Sequence, residues 1–441
     1  VGMSGLLFLA IPRFQLENSM FLNRFVSKRS MSGFSDSIRI GDVTDILQDT
    51  SVALSVDVSD QTQIPGNPYW RMLVLDFYEN GTFRFSPGLK RDLTRLRTSG
   101  TLVGEARLQL GAAKTWTFYF ESGVSRYLPL LGHFAELRFR EVQNFRLAPN
   151  LVILELRDEP VTMVAYRVEG FDMASTLPDP VFLERWKNRD KPGQPRYAMQ
   201  NFTVPRDADQ ATLRRLVEEA TGGVARKTAE FSQQVSAWLV SQHSYSLSPR
   251  VPPGDGDPLV RWMASREAGH CELFAGSFVL LARAAGYPAR VATGFRGGTW
   301  NAYSNNFTIR NSDAHAWAEI FDEESGAWLR ADPLGVSSSA QLTEAQGEAT
   351  LAARMDRSWS ARLESLRVFW YRRIVSFDQL SQVETLKAIK EVTENSGRRV
   401  RAVVSRFFNT IREWFLSPWD IRRFAAVLGA VAMVAGFHWL W

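Results

Sequence analysis

The stretch SREAGHCELFAGSFVLLARAAGYPAR, Ser265 to Arg290, holds Cys271, the single cysteine in a chain of 441 residues. Behind it the apolar residues Phe274, Phe278, Leu281 and Ala285 recur at helical spacing, and Gly286 and Pro288 end the run. The spacing predicts a helix with Cys271 in its first turn. Unpaired backbone N–H groups and the positive end of the helix dipole stabilise a thiolate at that position. The same N–H groups can hold a developing oxyanion. A lone cysteine is otherwise a small apolar core residue. A core thiol gains nothing from a helix start, so the position favours a reactive, low-pKa thiol.

A thiol nucleophile needs a base, and the chain has five histidines. His438 lies in an apolar terminal run, His133 and His243 sit in unremarkable surroundings, and His270, beside the cysteine, is pointed elsewhere by a helix start. His315 remains, in SDAHAWAEIFDEESGAWLRADPLG (Ser312–Gly335). Alternation puts His315, Trp317, Glu319 and Phe321 on one face, and Trp328, Arg330 and Asp332 on one face of a second strand. With DEES (Asp322–Ser325) as a four-residue loop, Phe321 pairs with Gly326. His315 then lies directly opposite Asp332, Cβ to Cβ about 5 Å. That is a base–orienter pair for a thiol. A one-residue slip would turn Asp332 to the other face. One Cys, one His and one Asp lack the paired ligand motif of a zinc site, and no metal is expected.

Upstream, from about residue 38 to 170, short β-rich runs such as SVALSVDV (Ser51–Val58), TWTFYFES and LVILELR alternate with turn residues, and Glu79-Asn80-Gly81 marks a hairpin. They suggest a β-sandwich-like domain over residues 30–185. A polar stretch follows, then the helical patterns ATLRRLVEEATGG and RKTAEFSQQVSAWLVSQHSYSL. With the cysteine helix and the hairpin these make a second unit over 207–345.

At 22% charged and 12% aromatic residues the chain is a folded protein. Its net charge of +5 is mild, and no compact basic face with a known nucleic-acid module is visible. One cysteine cannot form an internal disulfide, so the redox compartment is left open. A helical segment over 350–416 includes a basic amphipathic stripe from Val400 to Ile411, suited to a membrane surface or to packing on a domain. Phe424 to Trp441 is an uncharged apolar run that fits a transmembrane helix, and residues 1–12 resemble the end of an earlier one. Arginines flank both ends, and a loop of this length translocates largely regardless of charge, so composition does not fix its side.

GHCELFAGSFVLLARAAGYPARVATGFRGG, SDAHAWAEIF and WLRADP together resemble the transglutaminase-like superfamily of papain-fold cysteine enzymes, over about Asp257 to Gly335. More narrowly the chain is similar to bacterial membrane-anchored transglutaminase-like proteins. Segments such as YWRMLVLDFYENGTF and RSWSARLESLRVFWYRRIVSFDQLSQVETL extend the likeness. The resemblance implies an α+β architecture: a papain-like core with the cysteine helix packed on an antiparallel sheet, after a β-sandwich-like domain and before helices and a transmembrane helix. It implies Cys271 as nucleophile, His315 as general base and acid, and Asp332 as its orienter. Arg290, Gly294 and Trp317 would shape the site more as structure than as chemistry. Glu272 follows the cysteine as in the family, with no chemical role assigned. ADPLG stands where relatives more often read DPT, a change beside the site rather than in it.

The resemblance further implies a catalytic domain outside the cytoplasm, in the periplasm at the inner membrane. No calcium loop of the EF-hand type is visible in the sequence, so no obligatory cofactor is expected, and no nucleic-acid partner is expected from the charge pattern. The domain's substrates would be a protein or peptide amide and an amine acceptor, from envelope proteins or peptides. The same three residues would serve a protease, an amidase or a deamidase, the outcome turning on whether water reaches the thioester. A non-catalytic envelope-binding scaffold is the other class, and an intact Cys, His and Asp set speaks against it.

Overall fold

In the computed structural model of the chain, the residues described are 36–39, 44–58, 64, 66–93, 96–104, 115–160, 163–171, 175–191, 204–205, 207–224, 227–301, 303, 306–335 and 355–356. The chain divides into two compact units, Val1–Leu363 and Glu364–Trp441, and every described residue falls in the first. The expected membrane segments at 1–12 and 424–441 and the basic amphipathic stripe lie outside the described residues. So does all of 350–416 except Met355–Asp356, which form a short strand. Among the described residues no helix is long and apolar enough to cross a membrane.

The first strands are β1 (Ser37–Arg39), β2 (Val52–Val58), β3 (Tyr69–Leu75), β4 (Phe77–Glu79), β5 (Thr82–Arg84) and β6 (Leu96–Val103). Then come β7 (Thr115–Phe120), β8 (Glu136–Ala148), β9 (Ile153–Leu156), β10 (Val164–Glu169) and β11 (Thr176–Pro178). The later ones are β12 (Ala289–Arg296), β13 (Thr299–Asn301), β14 (Asn306–Arg310), β15 (Ala314–Asp322), β16 (Ala327–Ala331) and β17 (Met355–Asp356). Helices are α1 (Thr44–Leu47), α2 (Pro87–Asp92), α3 (Pro180–Lys187), α4 (Asp207–Thr221), α5 (Thr228–Gln242), α6 (Pro258–Met263) and α7 (Cys271–Ala284).

The predicted cysteine helix is α7, and its stop is as expected. Gly286 takes φ +91°, Tyr287 N–H bonds the Ala282 carbonyl and Gly286 N–H that of Arg283, which is a Schellman ending. Residues Cys271 to Arg283 are all buried, because α7 lies between β12 and β15 on one side and α4, α5 and α6 on the other. The Asn80-Gly81 hairpin is also as read: both residues have positive φ, 47° and 75°, and Glu79 pairs with Thr82 across a type I′ turn.

The β-rich region is not a self-contained sandwich, and the two sequence units do not separate. A five-stranded antiparallel sheet runs β11-β16-β15-β12-β3, so two of its strands come from before residue 185. In return β13 and β14 join the nine-stranded sheet of the first region, with β14 pairing β2. Every residue of β3 is buried. Trp70 on β3 packs against Trp116, Phe118 and Phe307, ring centroids 6.2, 6.1 and 5.7 Å away, so aromatic side chains close the space between the sheets.

The β15–β16 hairpin keeps the predicted faces in a different register. Phe321 pairs with Trp328, and Asp322 with Ala327. Gly326 occupies the left-handed region at φ +66°, so it closes the turn instead of opening the strand. Asp322 Oδ2 steadies that turn by accepting from Ser325 N (3.0 Å) and Ser325 Oγ (2.6 Å). The shift is two residues, an even number, so Asp332 stays on the His315 face but lies diagonal to it, level with Trp317.

Candidate active site

α7 begins on an unusual cap. His270 Nδ1 accepts the Glu272 N–H at 3.3 Å, and the imidazole is fully buried, its pKa lowered by that burial to about 4. A neutral ring nitrogen thus does the work of the usual Ser or Asp oxygen. Cys271 follows at the first helical position, 1% exposed. Its thiol lies within reach of the Ala316 and Glu272 backbone N–H groups. Burial pushes the thiol up to about 12; the Glu272 carboxylate adds to the rise, the Ala316 N–H opposes it, and the Asp332 charge adds more. The low-pKa thiol expected from the helix start is therefore not what the fold provides, since desolvation outweighs the dipole here.

The ordinary value for such a thiol is 9.0. At pH 7 the thiolate fraction of the folded protein is then about 10³-fold below that of the unfolded chain. Iodoacetamide labelling of Cys271, read by intact mass, is expected to be slow at pH 7 and to accelerate about tenfold per pH unit. Urea should abolish the protection. Rapid labelling of the native protein near neutrality would mean a thiolate already paired with His315.

His315 and Asp332 do meet. His315 Nε2 lies 2.8 Å from Asp332 Oδ2, which leaves Nδ1 as the nitrogen able to take a proton. Asp332 Oδ2 also accepts the Tyr69 hydroxyl at 2.7 Å and faces Arg296 Nη1 at 3.4 Å, while Oδ1 accepts the Leu334 N–H at 3.1 Å. Burial would raise this carboxyl, but His315, Arg296 and Tyr69 outweigh it and hold the pKa at about 2. Asp332 is thus an anion at any working pH, as an orienter must be.

The other predicted site residues separate into neighbours and scaffold. Trp317 lies under the imidazole, ring centroids 6.2 Å apart, and meets Tyr69 edge-on at 5.2 Å. Gly294 sits opposite His315 across β12 and β15. A β-bulge brings the Trp70 carbonyl so close to Gly294 that a Cβ would lie 1.9 Å from its oxygen, so only glycine fits. Glu272 is buried beside the thiol, with its Oε2 3.4 Å from His270 Nε2. Arg290 is not at the site: it pairs with Glu319 at 2.7 Å and stacks over Trp328 at 3.8 Å.

Sequence reading missed Tyr69, Arg296 and Tyr245. Tyr245 is half-exposed and its segment bridges to Gly269, two residues before the cysteine. Burial, followed by the nearby Cys271, pushes its hydroxyl up to about 12. Nothing in the local sequence marks Tyr69, which lies 263 positions from Asp332. Among the described residues no cluster of His, Cys, Asp and Glu could hold a metal ion.

The chain is similar to several known proteins. Residues 214–333 match the transglutaminase-like superfamily model, and residues 1–176 match the TgpA N-terminal domain. The protein-glutamine gamma-glutamyltransferase of Pseudomonas aeruginosa is 24% identical over 334 residues, 74% of this chain and 44% of that protein. The uncharacterized protein YebA of Bacillus subtilis is 31% identical over 98 residues, 21% of this chain and 13% of that one. The chain thus spans less than half the length of either relative. The crystal structure of the periplasmic domain of TgpA from Pseudomonas aeruginosa superposes with a TM-score of 0.50 at 20% identity, covering 73% of this chain and 99% of that one, a likeness of fold.

Proposed function

We propose that this chain, a transglutaminase-like protein by its core, is a cysteine acyltransferase that joins a protein glutamine side chain to a primary amine. The observation that carries the reading is the 2.8 Å His315–Asp332 bond on the strand against which the thiol of α7 is packed. Because the resting thiol is neutral, its proton passes to His315 Nδ1 as sulfur attacks the carboxamide carbon. The oxyanion is held by backbone N–H groups at the start of α7. The tetrahedral adduct collapses, His315 gives its proton to the leaving nitrogen, and ammonia departs. An amine then attacks the thioester, His315 takes its proton, and the new amide leaves with the thiol restored. Asp332 holds the imidazole by Nε2 throughout and stabilises the imidazolium between steps.

The named relative, a gamma-glutamyltransferase, supports this chemistry. The periplasmic description of the TgpA domain supports a catalytic unit outside the cytoplasm. With the apolar run at 424–441 as anchor, the acceptors and donors would be envelope proteins or peptides.

The test uses the purified chain and its Cys271→Ala variant with dimethylcasein and a fluorescent primary amine, following label, ammonia and fragment size together. Amine incorporation by the native chain alone is the expected result. Ammonia without label would make the chain a deamidase, and Cys271-dependent fragments would make it a protease.

A further inference from the structure

Tyr69 belongs to the β-rich region that precedes the core, yet its hydroxyl donates to Asp332 Oδ2, the same oxygen that His315 Nε2 contacts. Its ring is fixed on three sides. Trp317 meets it edge-on at 5.2 Å, the Arg330 guanidinium lies 3.9 Å from its centroid on the face, and Arg296 lies 5.7 Å away. β3 itself is held as a sheet strand through its pairing with β12, with Tyr69 opposite Arg296. Tyr69 is 9% exposed, so no water competes freely for its hydroxyl.

We propose that Tyr69 is a positioning residue of the candidate active site, acting on His315 through Asp332 so that Tyr69, Asp332 and His315 work as one hydrogen-bonded line. The proposal deepens the acyltransfer reading and rests on it for turnover. Two donors on one carboxylate oxygen share its charge. The Tyr69 hydroxyl takes part of the negative charge that would otherwise stabilise the imidazolium, and it fixes the carboxylate plane that aims the ring. Without it Asp332 binds the imidazolium more strongly and holds it less squarely. The thiolate–imidazolium pair gains population, and His315 becomes a poorer proton donor to the leaving nitrogen. Tyr69→Phe should therefore make Cys271 more reactive and the enzyme slower, opposite changes that general loosening of the site does not combine.

The experiment is a double-mutant cycle on the full chain: native, Tyr69→Phe, Asp332→Asn and the double variant. The rate of iodoacetamide labelling at pH 8 is read by intact mass, which is unambiguous with a single cysteine, and thermal melting checks folding. Phenylalanine keeps the ring and its three contacts. Tyr69→Phe is expected to label about three- to tenfold faster than native, a part of what one hydrogen bond to a charged group carries, since the effect reaches the thiol only through Asp332 and His315. In the Asp332→Asn background the same substitution should change the rate less than about twofold, because the partner it acts through is gone. In turnover, kcat should fall about three- to tenfold with KM unchanged.

An equal effect in both backgrounds would make Tyr69 a packing residue only and overturn the proposal, as would no effect in the native background. The labelling cycle needs no substrate. A native chain that incorporates no amine would sink the acyltransfer reading, while the cycle would still decide the role of Tyr69.

Discussion

A His315→Gln variant is expected to lose about 10²- to 10⁴-fold in kcat while its melting temperature and KM stay close to native. The reason lies in the state of the thiol. Burial holds Cys271 neutral, with its pKa up to about 12, so sulfur becomes a nucleophile only as a base removes its proton. The nearest other imidazole, His270, is committed to capping α7, and burial lowers it to about 4. Glutamine can keep a hydrogen bond to Asp332 but cannot accept and return a proton. The residual rate should climb about tenfold per pH unit in the alkaline range, because hydroxide then does what His315 did. The sign follows from a raised pKa: ionisation grows with pH until about 12. Measuring kcat for native and variant enzymes from pH 6 to 10 checks both statements. A loss under tenfold, or a flat residual rate, would remove His315 from the role of base.

Glu319→Ala is expected to destabilise the fold by about 3–5 kcal/mol, a large part of the 5–15 kcal/mol that a typical protein has. Glu319 is 2% exposed and accepts from Arg71 Nε at 2.6 Å, Arg71 Nη2 at 3.2 Å and Arg290 Nε at 2.7 Å. Burial works against the carboxylate, but Arg71 and Arg290 overcome it and hold the pKa at about 2. Its removal leaves two guanidinium groups in the core without their counter-ion. Arg71 Nη1 also caps the carbonyls of Leu151 and Val152. Val152 is a β-branched residue at φ +51°, a strained conformation that needs such a partner. The carboxyl ordinarily titrates at 4.5, so its contribution is full above that pH and is lost as pH falls through about 2. Urea unfolding at pH 7 measures the effect, and a triple apolar replacement of Arg71, Glu319 and Arg290 should recover much of the loss. A cost below about 1 kcal/mol would show that the two arginines find other partners.

How much of this was legible in the sequence depends on the distance over which each feature is set. The span of α7 is local: apolar spacing, a glycine that adopts φ +91° and a following proline define it. The shared face of His315 and Asp332 was legible because strand alternation survives an even shift. The register was not, because Gly326 could have opened the strand or closed the turn, and only its left-handed φ decides. The state of the thiol is hidden from the sequence for a different reason. A helix start lowers it and burial raises it, and sequence shows the first without the second. Tyr69, Arg71 and the exchange of strands between the sheets were invisible. Tyr69 and Arg71 find Asp332 and Glu319 at 263 and 248 positions' distance, and a buried strand such as YWRMLVL reads alike in any sheet.

That exchange of strands has a consequence for the order in which the chain is made. β3 leaves the ribosome well over two hundred residues before β12 and β15 are both complete. At about 5–20 residues per second, synthesis alone imposes a delay of roughly ten seconds to a minute before its sheet can close. Throughout that interval a seven-residue strand that ends fully buried lacks β12, its partner in the sheet. The newborn chain therefore carries an adhesive segment that something must shield or keep unfolded. A fragment beginning at residue 207 would meet the complementary problem, with β12 and β16 left as bare edges.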